Sequence, residues 1–137
     1  FAAHVPIPGV DIVALREFFA SNQILGLLNV LEEATGDFVF ISTDKAVNPT
    51  TIMGATKRIG ELIVRNAGGT VVRFGNVLAS RGSLLEIWAR QYANNELLTI
   101  TDPKMKRFFM TIPEAVGLVL QSATQGEGGD IFVLDIQ

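Results

Sequence analysis

The sequence predicts an α/β fold whose sheet is mostly parallel and carries helices on both faces. Two observations predict it. Short segments rich in β-branched and aromatic residues alternate with longer segments whose apolar residues recur at helical spacing, and polar residues cluster directly after the predicted strands. The chain has 137 residues, enough for one domain with a buried core. No internal repeat, linker or low-complexity segment interrupts it.

The first half of the chain is predicted to hold two strands and two helices. Residues 1–3 are typical of the tail of a strand whose beginning is absent. Apolar periodicity predicts a helix over 11–34, with Gly36 as its stop. A buried strand follows over 37–42, and then a helix over 51–66.

The second half continues the alternation. It is predicted to contain, in order, a strand over 71–74, a helix over 83–94, a strand over 97–101, an extended segment over 108–111, a helix that ends near 124 and a strand over 131–134. Ser83 is the expected N-cap of the first of these helices, assisted by Glu86 three residues later. Pro113 is expected in the first turn of the second.

Composition excludes several classes of protein. The formal net charge is −3, so nucleic acid is not expected as a partner. Cysteine is absent and His4 is the one histidine, so neither disulfides nor a metal site are expected. No apolar run approaches the roughly 20 residues of a membrane span, and no signal peptide opens the chain. The reducing cytoplasm is therefore the expected location.

The segment that follows the strand at 37–42 carries groups that move protons. Ser42, Thr43, Asp44 and Lys45 cluster where that strand ends. In an α/β sheet this end faces the ligand crevice. The following helix places Met53 and Lys57 four residues apart on one face. Convergence of such groups predicts an active site.

One expected feature is missing. No G-x-G-x-x-G follows a strand, and the glycines at 126, 128 and 129 precede a strand, so they are typical of a turn. The chain therefore has the character of the later part of a dinucleotide-binding enzyme, and we expect it to be a piece of a longer protein.

Five motifs together carry a family resemblance. They are STDKAVNPT at 42–50, MGATKR at 53–58, RFGNVL at 73–78, SRGS at 80–83 and RFFMTIPEA at 107–115. In this order and spacing the chain resembles the CapD-type polysaccharide biosynthesis proteins. These are extended short-chain dehydrogenases/reductases that include UDP-N-acetylglucosamine 4,6-dehydratases. The resemblance implies a Rossmann-like fold, with residues 1–78 as the second half of the cofactor domain and 79–137 as an interleaved sugar-binding portion.

The resemblance also implies a mechanism. The sugar is oxidised at C4, loses water across C5 and C6, and is reduced at C6, with NAD or NADP as cofactor. Asp44 is implied as the acid, Lys45 as the base, and Thr43 as a hydroxyl that holds the reacting oxygen. Most relatives in the superfamily have a Tyr four residues before the Lys, but here that position is Met53 and only Lys57 is retained. Removal of the C4 hydroxyl proton is therefore left to Asp44, or to Thr43 with water.

Ligand-binding roles follow from the same resemblance. The cofactor-binding residues it implies are Ala2, Ala3, Asn22, Ser42, Lys57 and Phe74. The residues it implies for the UDP-sugar are Asn76, Ser80, Arg81, Ser83 and Arg107. Arginine forks and a helix N-terminus suit a diphosphate. A homo-oligomer is expected, and membrane association only if further segments precede this chain.

Two other functions stay open at this point. The first is a UDP-sugar 4-epimerase of the same superfamily, which needs neither a base at C5 nor an acid at O6 and relies on the Tyr that Met53 replaces. The second is a non-catalytic interaction subunit, because the phosphate-binding turn is absent. In that case Asp44 and Lys45 are a solvated loop pair.

Overall fold

A computed structural model describes residues 14, 17–18, 20–78, 83–100 and 102–133 of the chain. The strand tail predicted at 1–3 lies outside these residues. The helix predicted over 11–34 is confirmed over its described later part, where a π-helical segment, Ala20–Leu25, leads into α1, Gly26–Glu33. The apolar spacing alone did not reveal the π-helical turn.

A parallel three-stranded sheet forms the centre of the fold. Its strands are β1 (Val39–Thr43), β2 (Thr70–Phe74) and β5 (Ile131–Val133), in the order β1-β2-β5. Helix α2, Ile52–Asn66, connects β1 to β2. This β-α-β unit confirms the predicted α/β class.

A second, two-stranded parallel sheet follows from the carboxyl end of β2. Strand β3, Asn76–Val77, pairs with β4, Phe109–Met110. Gly75 permits this bend, because a Cβ at that position would lie 2.9 Å from the backbone oxygen of Phe108. Helix α3, Leu84–Ala93, lies between the two strands in the chain.

Helix α4, Ile112–Gln125, leads into β5 and packs on the central sheet. Its start is well specified locally: Thr111 and Glu114 form a reciprocal capping box, and Pro113 occupies the first turn as predicted. In β2, Val71 belongs to the core cluster with Val64 of α2. Val72 is equally buried and points to the opposite face, where α4 packs.

The strand predicted over 97–101 is wrong for its described residues 97–100. None of the four is in a strand, and the backbone of Thr99 bonds to side chains of α3: the Trp88 indole N–H donates to the Thr99 carbonyl at 2.9 Å, and the Thr99 backbone N–H donates to Gln91 Oε1 at 3.2 Å. The segment is also exposed, with Leu97 at 91 %. The apolar residues at 97–100 therefore do not form a strand, because no strand among the described residues pairs with them.

One ion network ties the central elements together. The Glu61 carboxylate on α2 is fully buried. It accepts hydrogen bonds from Ser42 of β1 at 2.6 Å, from Arg73 of β2 at 2.9 and 2.7 Å, and from Arg58 at 2.8 Å. Because a buried charge is costly unless it is paired and hydrogen-bonded, these donors fix α2 against both strands.

The same contacts set the ionisation of Glu61. Burial by itself raises the pKa, but hydrogen bonds from Arg73, Ser42 and Arg58, with the charge of Arg73, outweigh it and lower the pKa of Glu61 from 4.5 to about 2. The stabilisation is therefore fully present above about pH 4.5 and is lost as the pH falls toward about 2.

We predict that Glu61→Gln lowers the free energy of unfolding at pH 7 by roughly 3 kcal/mol, because Arg73 keeps a partly buried charge without its partner. The variant should also lose much of the decline in stability between pH 4.5 and 2. Urea unfolding at a series of pH values measures both effects. Glu32→Gln, at an exposed position of α1, is the matched control and should stay within about 0.5 kcal/mol of the unmodified protein. A Glu61→Gln curve parallel to that of the unmodified protein contradicts the prediction.

Candidate active site

The carboxyl end of β1 turns sharply into a short 3₁₀ helix, Asp44–Ala46. Thr43 ends the strand and caps this turn, because its hydroxyl oxygen accepts the Lys45 amide N–H at 3.3 Å. The same hydroxyl donates to Asp44 Oδ1 at 2.9 Å, and Lys45 Nζ lies 2.8 Å from that oxygen. The three predicted catalytic groups of the turn therefore contact one another directly.

Asp44 is held as a carboxylate. Burial raises its pKa, but hydrogen bonds from Lys45 and Thr43 and the charge of Lys45 outweigh burial and lower the pKa below its usual value. A general acid needs the opposite shift. Proton donation by Asp44 therefore requires a change in its pairing with Lys45 when a ligand is present.

Lys45 also reaches a second element. Its Nζ donates to Asn76 Oδ1 at 3.4 Å, although the two residues are 31 positions apart. The contact joins the turn after β1 to the first residue of β3. Asn76, predicted to bind the sugar, thus lies beside the predicted base.

Helix α2 begins against the same turn. Thr51 caps it by accepting the Gly54 amide N–H at 3.1 Å, and a Cβ on Gly54 would lie only 2.6 Å from the Lys45 carbonyl oxygen. Met53 is half-buried in the first turn of α2. Glycine at position 54 thus allows the helix to support the backbone of the turn after β1.

Lys57 lies one turn further along α2. Its ammonium donates to the carbonyl oxygen of Ile41 in β1 at 3.1 Å and sits 4.8 Å from the centre of the Phe40 ring. Burial lowers the pKa of Lys57. The side chain is therefore held at the strand.

A cavity of about 270 Å³ opens at this end of the sheet. Its lining residues are Asp44, Val47, Arg73, Phe74, Gly75, Phe108, Met110 and Val133. The cavity is bounded by the carboxyl ends of β1, β2 and β5 and by β4, where an α/β sheet binds ligands.

The predicted cofactor-binding residues lie in different surroundings in the structure. Phe74 lines the cavity, whereas the Ser42 hydroxyl is buried and donates to Glu61. Asn22 is exposed, and its amide donates to the Phe18 carbonyl at 2.9 Å. Ala2 and Ala3 lie outside the described residues. Their cofactor roles stay predictions.

The predicted sugar-binding residues are only partly described. Ser80 and Arg81 lie outside the described residues. Ser83 is the N-cap of α3 as predicted, but its hydroxyl makes no capping bond to the helix. Among the described residues the buried Ser83 Oγ has no hydrogen-bond partner. Arg107 is exposed and donates to the Lys106 carbonyl.

Sequence reasoning missed two supporting features of the site. The first is the ion pair of Glu61 with Arg73, which holds the strand ends. A charged residue at an inward position of α2 and another at an inward position of β2 could have indicated this pair. Gly54 was quoted as part of a motif, but its contact with Lys45 depends on packing that the sequence does not display.

Two other features are absent from the described residues. No three acidic or histidine side chains gather there as a metal cluster would require. No helix in this part of the chain is both long and apolar enough to cross a membrane.

The fold and site define a class. A parallel Rossmann-like sheet, with polar groups at its carboxyl end and a lysine on the following helix, is the arrangement of short-chain dehydrogenases/reductases. Within that class, the chain belongs to the family described as polysaccharide biosynthesis protein, whose model matches residues 1–137. The family resemblance drawn from the five motifs is confirmed.

Curated relatives support the family, and this chain spans only about a quarter or less of the length of the first two. The chain is 48 % identical to the capsular polysaccharide biosynthesis protein CapD of Staphylococcus aureus, covering 84 % of this chain and 21 % of CapD. It is 46 % identical to the probable polysaccharide biosynthesis protein EpsC of Bacillus subtilis, covering 98 % of this chain and 24 % of EpsC. A UDP-glucose 4-epimerase of Rickettsia conorii is 40 % identical, with 82 % of this chain and 37 % of the relative covered.

Solved structures share the fold. Pen from Bacillus thuringiensis superposes with a TM-score of 0.85 at 31 % identity, covering 97 % of this chain and 45 % of Pen. The dTDP-glucose 4,6-dehydratase DesIV from Streptomyces venezuelae, solved with NAD, gives 0.77 at 16 % identity, with 97 % and 49 % covered. The second likeness concerns the fold alone.

We predict that Gly54→Ala destabilises the protein by about 1–3 kcal/mol, because its Cβ would meet the Lys45 carbonyl oxygen and force the helix or the turn to shift. The melting temperature measures this effect. Gly117→Ala in α4 is the matched control: no atom lies within 4 Å of a Cβ there, so it should stabilise by about 0.5–1 kcal/mol. Equal effects of the two substitutions would refute the close approach.

Proposed function

We propose that this chain is the part of an NAD- or NADP-dependent nucleotide-sugar 4,6-dehydratase that supplies its acid–base residues and part of its sugar site. The proposed substrate resembles UDP-N-acetylglucosamine, and the proposed role is surface polysaccharide biosynthesis. The observation that carries the proposal is the 2.8 Å contact between Asp44 and Lys45 at the carboxyl end of β1.

The Asp44–Lys45 pair holds the protons that elimination needs. Net transfer of one proton from Lys45 to Asp44 converts the ion pair into a neutral amine and a neutral carboxylic acid, with no net uptake of a proton from solvent. A sugar that covers the pair excludes water, and lower polarity favours the uncharged forms. The lowered pKa of Asp44 in the open site is therefore compatible with an acid role once ligand is bound.

The geometry divides the two roles. Lys45 and Thr43 both donate to Asp44 Oδ1, which leaves Oδ2 as the oxygen that can hold a transferable proton. In the elimination step the C5–H bond breaks and its proton goes to Lys45 Nζ. The electron pair forms the C5–C6 double bond, the C6–O bond breaks, and the hydroxyl leaves as water with the proton of Asp44.

The chain also offers groups for the reactive end of a dinucleotide. The half-buried Lys57 ammonium suits ribose hydroxyls, and Phe74 supplies an apolar wall of the cavity. The chemistry that NAD supplies when bound is reversible hydride transfer. The G-x-G-x-x-G turn that grips the pyrophosphate is not in this sequence, so the residues fit the nicotinamide-riboside end.

The first step needs a group that takes the C4 hydroxyl proton. Met53 occupies the position where most of the superfamily has Tyr, and a thioether cannot accept that proton at neutral pH. Asp44 already carries the Lys45 proton in this scheme, so it cannot take a second one. We propose that a water molecule held by the Thr43 hydroxyl takes the C4 proton and releases it to solvent, and that Lys45 regains a proton from solvent after it has returned its own to C5.

A UDP-sugar 4-epimerase is the second candidate, because relatives at 40 % identity carry that name. Such a reaction leaves C5 and C6 unchanged, so it gives Lys45 no proton to remove.

The cytoplasmic location, the homo-oligomer and the division at residue 78 stay predictions.

We predict that the natural protein containing this chain converts UDP-N-acetylglucosamine to a product lighter by one water, measured by mass spectrometry with NAD or NADP present. Lys45→Ala should slow this conversion about 100- to 10,000-fold, because a positioned general base contributes that much. Lys104→Ala, at an exposed lysine, should leave the rate unchanged. An unchanged sugar mass, with inversion at C4 that persists in Lys45→Ala, supports the epimerase instead.

We also predict that Lys57→Met weakens NAD binding about tenfold or more, because a ribose hydroxyl would lose its charged donor. Isothermal titration calorimetry with NAD and, separately, with UDP measures the effect. UDP affinity should not change. Equal NAD affinity in the variant and the unmodified protein removes Lys57 from the cofactor site.

A further inference from the structure

We propose that Asn76 is a positioning residue that aims the amine of Lys45 at the sugar, in addition to any contact it makes with the sugar itself. The inference rests on the proposed function, because it assigns Asn76 to the base of that reaction. Its starting point is the contact between Lys45 Nζ and Asn76 Oδ1.

Two acceptors from different elements surround the Lys45 nitrogen. Asp44 Oδ1 lies at 2.8 Å and Asn76 Oδ1 at 3.4 Å. A tetrahedral amine nitrogen has four directions, of which its own carbon takes one. With two N–H bonds directed at Asp44 and Asn76, a single direction is left for the lone pair that removes the C5 proton.

Backbone contacts hold Asn76 in place. The backbone N–H of Asn76 donates to the Phe108 carbonyl at 2.9 Å, and the backbone N–H of Leu78 donates to the Met110 carbonyl at 2.9 Å. Parallel pairing of β3 with β4 puts Asn76 opposite Phe109. The amide oxygen is therefore presented from a paired strand and not from a free loop.

The other partner is also fixed at its backbone. The Lys45 amide bonds to Thr43, and α2 packs on the Lys45 carbonyl at Gly54. Without a second acceptor, the long Lys45 side chain could rotate about Asp44 alone. Asn76 removes that freedom, and correct aim of a reacting group is worth much of a rate enhancement.

The side-chain amide of Asn76 carries no charge, so its contact orients the Lys45 amine without adding a charge beside it. Asp44 is the ionised group in contact with Lys45. On the neighbouring elements, Lys57 is directed to the Ile41 carbonyl, and Arg73 is paired with Glu61. A carboxylate placed at position 76 would therefore add a second negative charge at the Lys45 nitrogen and favour its protonated form.

The test compares Asn76→Ala and Asn76→Asp with Asn29→Ala and Asn29→Asp, matched changes at an exposed position of α1. Circular dichroism and melting temperature first select folded variants. The first assay measures dehydration by the natural protein and the affinity for UDP-N-acetylglucosamine. We expect Asn76→Ala to lower kcat about 10- to 100-fold while affinity changes less than about threefold.

The second assay needs no activity. Acetic anhydride labels the Lys45 amine at a series of pH values, and mass spectrometry of the peptide gives the midpoint of labelling. We expect Asn76→Asp to move this midpoint to higher pH, and both Asn29 variants to leave it unchanged. Dehydration by Asn76→Asp should need correspondingly higher pH.

Two outcomes overturn the inference. One is loss of UDP-sugar affinity in Asn76→Ala with kcat retained, which assigns Asn76 to sugar binding alone. The other is a Lys45 labelling midpoint that is the same in Asn76→Asp and the unmodified protein. If the unmodified protein dehydrates no sugar but the midpoint moves, the proposed function fails while the contact between Asn76 and Lys45 stands.

Discussion

The buried carboxylate of Glu61 is the constraint on which the arrangement of the site depends. Its oxygens accept hydrogen bonds from β1, β2 and α2 at once. A charge without these donors would be costly at zero exposure, so the three elements cannot slide independently. Because Ser42 immediately precedes Thr43 and Asp44, the network also sets where the turn after β1 begins.

Two close backbone approaches complete that arrangement. Gly54 lets the start of α2 rest on the Lys45 carbonyl, and Gly75 lets Phe108 approach the end of β2. The first approach supports the turn, and the second brings the small β3–β4 sheet beside it. The contact of Lys45 with Asn76 joins these two regions. The proposed acid, the proposed base and the amide proposed to bind the sugar thus share one corner of the fold.

Local patterns predicted most of the fold. Alternating β-branched strands and amphipathic helices predicted the sheet, and capping residues predicted where α4 starts. The failure at 97–100 shows the limit of such patterns. An apolar run forms a strand only where a partner strand is available, and here Trp88 and Gln91 take the backbone groups of Thr99. Polar clustering likewise predicted that Thr43, Asp44 and Lys45 would meet, because neighbours in a tight turn need no distant contact.

The sequence by itself determined the α/β class, the family and the chemical identity of the groups at the end of β1. Adjacent residue types and their spacing carry that information. Only the tertiary structure decided that Ser42 faces Glu61, that Asp44 is held as a carboxylate and that Lys45 reaches Asn76. These outcomes depend on burial and on contacts between residues as many as 31 positions apart. Their energies arise when the elements pack.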